Sequence, residues 1–85
     1  MARYTAKLRV PADVGLAIQQ ARMARGLSQT DLAAHTSLHQ SAISEVEGGK
    51  STIRLRRILE LARATGLEIT ASWDVDGEDE HASRG

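Results

Sequence analysis

The stretch from Leu27 to Lys50, LSQTDLAAHTSLHQSAISEVEGGK, constrains the fold more than any other part of the chain. Ser28 is a good helix N-cap, and Asp31, three residues on, can answer it as the acid of a capping box. Leu32 and Ala33 give the short helix that follows an apolar side. His35-Thr36-Ser37 breaks the pattern, and Leu38 is expected to tuck the turn inward. A second helix is predicted from Gln40 to Glu47, with Ile43 and Val46 pointing in and Gln40, Ser41, Ser44 and Glu45 pointing out. Gly48-Gly49 ends it, as glycine does just past a helix. Two short helices about a tight turn, the second with a small polar outer face, make a helix-turn-helix unit.

The flanks are read from periodicity. Tyr4, Ala6, Leu8 and Val10 alternate with Arg3, Thr5, Lys7 and Arg9, which predicts a half-buried strand over residues 1–10, the alternative being a basic arm. Pro11 ends it. Asp13 is expected to cap a first helix running to about Arg25, with Val14, Ala17, Ile18 and Ala21 on one face and Gly26 as its stop. A further helix is expected to follow Ser51-Thr52, with Leu55, Ile58, Leu59 and Ala62 as its stripe over about Leu55 to Thr65, Leu61 beside it and Gly66 closing it. Leu67, Ile69, Ala71, Trp73 and Val75 then alternate with Glu68, Thr70, Ser72 and Asp74, a second strand over residues 67–76. Its polar face is acidic where that of the first strand is basic, so the two can pair. A two-stranded ribbon is marginal in water. Pairing across two subunits would bury the aliphatic faces, so Tyr4, Leu8, Leu67, Ile69, Ala71 and Trp73 are expected at a dimer or partner interface.

Bulk properties narrow the function. Eighty-five residues suit one small domain with a modest core. The chain has no cysteine, hence no disulfide framework and no thiolate metal site. No apolar run approaches the ~20 residues that span a bilayer, and no signal-peptide apolar region opens the chain, so a cytoplasmic protein without a membrane partner is expected. The formal net charge of zero conceals an asymmetry: residues 1–72 hold ten Lys/Arg against six Asp/Glu, and residues 73–85 one against five. A basic body suits nucleic acid, and the acidic tail over residues 77–85 is expected to be solvated. No enzyme, cofactor or metal is expected. His35, His39 and His81 share no metal or triad spacing, and Asp76, Glu78, Asp79 and Glu80 lack the glycine and terminal glutamate of a calcium loop.

GLSQTDLAAHTSLHQSAISEVEGGK resembles the Xre/Cro family of helix-turn-helix regulators, over about Asp13 to Leu67. Gln29, the Leu32-Ala33 pair, Ile43, Ser44, Glu47 and Gly49 carry the resemblance. Two positions depart from it: Ser37 stands where glycine is usual, which would strain a positive φ, and His39 where a capping Ser or Thr is usual. The resemblance implies a mainly α fold of four or five helices, residues 11–66, flanked by short N- and C-terminal strands that form a sheet at a dimer interface. A strand after the last helix resembles HipB-like antitoxins, the dimeric subset of this family. That implies a homodimeric repressor of its own operon, bound to a HipA-like kinase toxin. The alternatives are a free-standing regulator and a protein-interaction module that has lost DNA contacts, for which Glu45 on the reading face and the zero net charge speak.

In phage repressors of this kind an arginine at the place of Arg22 pairs with the glutamate ending the recognition helix, here Glu47. An unpaired buried charge is costly, which argues the same way against two separately solvated side chains. A helix fits the major groove and presents its first residues to base edges. The base-reading candidates are His39, Gln40, Ser41, Ser44 and Glu45. Gln40 suits adenine, Ser41 either partner, Glu45 a cytosine amino group or nothing, and His39 guanine or phosphate unless it is only an imperfect cap. Ser28, Gln29, Lys50, Thr52 and Arg54 are the phosphate candidates, with Arg56 and Arg57 beside them. A dimer would read an inverted-repeat operator.

Overall fold

The computed structural model describes residues 2–75, in the order β1 (Ala2–Lys7), α1 (Pro11–Ala24), α2 (Gln29–Ala34), α3 (Gln40–Glu47), α4 (Ile53–Thr65) and β2 (Thr70–Val75). The expected acidic tail, with His81 and the carboxylates from Asp76 to Glu80, lies outside the described residues.

Helix ends follow local chemistry. Pro11 takes the first position of α1, where its missing N–H and fixed φ do no harm. Asp13 is therefore the third helical residue and not the N-cap expected of it. Its Oδ2 accepts from Arg9 N at 2.8 Å and Val10 N at 3.1 Å, closing the helix start from inside. The capping box of α2 forms as expected: Ser28 Oγ accepts from Asp31 N and Asp31 Oδ2 from Ser28 N, both at 2.9 Å. The Ser28 backbone N–H and then its side chain hold the Asp31 carboxyl below its ordinary value. Helix α4 follows Ser51-Thr52 as expected, with Thr52 as its cap, Oγ1 accepting from Leu55 N at 3.2 Å. Gly66, at φ 74°, turns the chain out of α4, and Leu67 N donates back to Ala62 O at 2.9 Å.

Among the described residues the buried apolar side chains are few: Ala17, Ile43, Leu59 and Ala62. Helix α3 is held against both α1 and α2. Gly15 makes the first of these contacts possible, since a Cβ there would stand 2.2 Å from Val46 O. This backbone-to-backbone approach leaves no slot for the Val46 side chain, which was expected inside and is 39 % exposed. Leu38, also expected inside, is 52 % exposed. The turn is instead held by Thr36, whose Oγ1 donates to Ala33 O at 3.4 Å and accepts from Leu38 N at 3.1 Å. Ser37 carries no left-handed strain, because no described residue other than glycine has positive φ. Ile18, Ile58 and Leu61 of the expected apolar stripes are exposed, Leu61 by 64 %. A core this shallow covers only the centre of each stripe.

The two strands pair antiparallel within one chain, Tyr4 opposite Trp73 and Ala6 opposite Ala71. Leu8 N donates to Ile69 O at 2.8 Å, one step beyond the ladder. Both alternations hold: the aliphatic and aromatic residues share the face toward α1, and the charges share the other. Arg3 Nη1 bonds Asp74 Oδ1 at 2.7 Å and Lys7 Nζ lies 3.5 Å from Glu68 Oε2, the basic-against-acidic match read from the sequence. The strands are shorter than expected. Leu67 and Glu68 precede β2 because the Gly66 turn claims the Leu67 N–H. The Tyr4 and Trp73 rings meet edge to face at 6.2 Å, and the Trp73 indole N–H is buried without a hydrogen-bond partner among the described residues.

Candidate nucleic-acid interface

The outer face of α3 carries Gln40, Ser41, Ser44 and Glu45, all exposed, at one surface of the molecule. His39 is the N-cap residue of α3 and makes no side-chain cap bond, so its ring is free at the same edge. His35, by contrast, ends α2 and its Nδ1 lies 2.8 Å from Asp31 O.

What fixes α3 is a charged cluster behind this face. Arg22 Nε donates to Glu47 Oε2 at 2.6 Å and Arg22 Nη2 to Glu47 Oε1 at 3.0 Å, a two-pronged pair with side chains 11 % and 2 % exposed. Such geometry gives both strength and direction. Arg22 Nη1 donates a third bond to Leu27 O at 2.7 Å, so one guanidinium ties α1, the α1–α2 connection and the end of α3. The hydrogen bonds from Arg22 hold the Glu47 carboxyl below its ordinary value against the opposing effect of burial, with Gln29 and Gln19 adding to it. The expected pair is thus present.

Sequence reasoning missed how far this cluster extends. Gln29 Nε2 donates to Glu47 Oε1 at 2.9 Å, and Gln40 Nε2 donates to Gln29 Oε1 at 2.6 Å. A continuous line of hydrogen bonds therefore runs from Arg22 through Glu47 and Gln29 to Gln40. Gln29 and Gln40 were read as separate phosphate and base candidates, whereas the fold joins the starts of α2 and α3 through them. Gln19 could have been flagged, since it stands three residues before Arg22 and so on the same helical face.

The remaining candidates divide by position. Ser28 and Thr52 serve as N-caps of α2 and α4, and both remain exposed. Lys50 Nζ lies 3.5 Å from Glu45 Oε2 with both side chains largely exposed, so a predicted phosphate ligand and a predicted base reader balance each other at the rim. Arg54, Arg56 and Arg57 are exposed on α4. Tyr4, Leu67 and Trp73 lie at the sheet end of the molecule, with Leu67 63 % exposed. No group of His, Asp and Glu that could hold a metal is found among the described residues, and none of their helices is long and apolar enough to cross a membrane.

Known proteins match the same segment. The family described as Helix-turn-helix matches residues 18–71. The chain is 39 % identical over 61 residues to the endothelial differentiation-related factor 1 homolog of Danio rerio, covering 72 % of this chain and 42 % of that protein. It is 34 % identical over 61 residues to the Gallus gallus counterpart and to endothelial differentiation-related factor 1 of Homo sapiens, covering 72 % of this chain and 41 % of each. The chain spans about two fifths of the length of these curated relatives. No solved structure matches it. With α2 and α3 forming the unit, α1 held against α3, α4 against α1, and the match covering more than half of its residues, the chain belongs to the helix-turn-helix family of DNA-binding domains, of the Xre/Cro type.

Proposed function

We propose that this protein is a sequence-specific transcriptional repressor that lays α3 in the major groove. The observation that carries this reading is the clamped helix: the part-buried Arg22–Glu47 pair ties the end of α3 to α1 while Gln40, Ser41 and Ser44 stay exposed. Gln40, at the first turn of α3, reads a base edge, with His39 and Ser41 beside it. The Lys50 ammonium, the Arg54 guanidinium and the exposed cap hydroxyls of Ser28 and Thr52 meet phosphates, which position the protein without reading sequence. Glu45, its charge balanced by Lys50 at 3.5 Å, stands where it can accept from a cytosine amino group.

The repressor acts as a homodimer on an inverted repeat. The exposed side chains of Tyr4 and Leu67 support a second copy or a partner at the sheet end. On the strength of the strand following α4, the partner is a HipA-like kinase toxin, and the protein is the antitoxin that represses their shared operon from the cytoplasm. A free-standing regulator of the same fold lacks that partner. Co-purification with the product of the adjacent gene separates the two.

Fluorescence anisotropy against the duplex upstream of its own gene, with a scrambled competitor at two salt concentrations, tests the DNA reading. Binding that falls steeply with salt and beats the scramble by ~10³ or more is the expected result. Weak binding, equal on both duplexes and insensitive to salt, would favour the protein-interaction module instead.

A further inference from the structure

We propose that the groove between the end of β1 and α4 is the docking place of this chain's own acidic segment, which sets Glu78, Asp79 and Glu80 against Arg9 and Arg63. Two hollows make the groove. One, of about 230 Å³, is lined by residues 7–9, by α4 and by the link over residues 66–69. The other, of about 170 Å³, is lined by residues 9–11 and α4. Arg9, Leu59 and Arg63 border both, so the hollows run into each other over the buried Leu59 side chain. Each is smaller than the ~300 Å³ at which small-molecule sites begin, a size for single side chains and not for a metabolite. No residue of α2 or α3 lines either hollow, so the groove stands apart from the face that carries Gln40 and Ser41.

Charge selects the occupant. The rim holds Lys7, Arg9, Arg56 and Arg63 against Glu60 and Glu68. Lys7 is matched by Glu68 at 3.5 Å. Among the described residues no carboxylate pairs with Arg9, Arg56 or Arg63, so the rim keeps a positive excess. Guanidinium forks suit carboxylates. The chain supplies these directly after β2, where DGEDEHASRG holds four acids against Arg84. The register also fits. Val75 stands opposite Ala2 and Thr70 opposite Lys7, so five residues, about 17 Å, separate the end of β2 from the level of the groove. Glu80 stands five residues beyond Val75, so a chain turned back along the ribbon returns its carboxylate toward that level, where the long arginine side chains meet it. The tether raises the local concentration of these acids to about the millimolar range, which lets exposed pairs that are weak singly act together.

The test is proton–nitrogen NMR of the full chain at about pH 6, where carboxylates are ionised. Wild type is compared with a tail-neutral variant, Asp76→Asn/Glu78→Gln/Asp79→Asn/Glu80→Gln. The Nε–Hε signals of Arg9 and Arg63 should shift on neutralisation while those of Arg25 and Arg57 stay, and ~1 M salt should remove most of the difference. In Arg9→Gln/Arg63→Gln the backbone amide signals of Glu78, Asp79 and Glu80 should move to their high-salt positions. Arg9 and Arg63 signals that ignore the tail, equal movement of all four arginines, or tail amides that ignore the groove variant would each overturn the docking. Labelled tail-neutral protein, exchanged with excess unlabelled wild type, separates the source of the tail. Signals that keep their tail-neutral positions assign it to the same chain. Recovery of the wild-type positions would overturn that assignment and give the groove to the tail of a second copy.

Discussion

Replacing Gly15 by alanine tests how α1 holds α3, because two rules predict opposite signs. At an exposed position inside a helix, alanine is favoured over glycine by about 1 kcal/mol. Gly15 lies inside α1, so propensity alone predicts stabilisation. The added Cβ, however, would stand 2.2 Å from Val46 O and 2.8 Å from Glu47 O. Ordinary carbon contact lies near ~3.5 Å, so the two helices would have to part by about 1 Å. Both offending atoms are backbone carbonyls that no rotamer change removes. Overpacking of this kind costs about 1–3 kcal/mol. With a cost near the top of that range and the propensity gain set against it, the net loss is about 1–2 kcal/mol. In a domain of this size that lowers the Tm by about 5–15 °C, read by circular dichroism. Gln20→Ala, on the exposed side of the same helix, is the control and should stay within about 0.5 kcal/mol of wild type. A Gly15→Ala protein that melts at or above the wild-type temperature would refute the close approach of α1 to α3.

Further outcomes are expected. The Glu47 carboxyl is held low in the folded state, so its contribution is fully present above the unfolded value near ~4.3 and is lost as pH falls through the lower folded value. Acid melts should therefore steepen below that pH, and Glu47→Gln should flatten this part of the profile; parallel profiles would remove Glu47 from the acid transition. Lys50→Ala should weaken operator and scrambled DNA alike and reduce the salt slope by about one unit, with Glu45 then left unneutralised at the rim. Trp73→Ala removes the edge-to-face partner of Tyr4 and should lower the Tm and shift the mass in light scattering toward the monomer. An unchanged mass would leave the sheet without a role in dimerisation.

Periodicity and end-signals carry no information about distance, and the division between what was legible and what was not follows that line. Residues 27–50 alone specify the paired helices, because the Ser28–Asp31 box and the Gly48-Gly49 stop act within a few residues of each other. The alternation in both strands and their opposite charges likewise specified which residues share a face and that the two could pair, whereas only the tertiary structure decided that they pair within one chain, Tyr4 opposite Trp73. The Arg22–Glu47 pair was reached only through the resemblance and the cost of a lone buried charge. Three-dimensional packing decided the rest. Glycine at position 15 looks neutral in sequence and acquires meaning only where two backbones meet. Val46, on the apolar side of α3, and Leu38, in the turn before it, were expected inside and are exposed in the fold, because so small a core has no room for them. Gln29 and Gln40 are eleven positions apart, on different helices, and nothing local relates them. Their bond exists because the turn held by Thr36 brings the starts of α2 and α3 together over the Glu47 carboxylate.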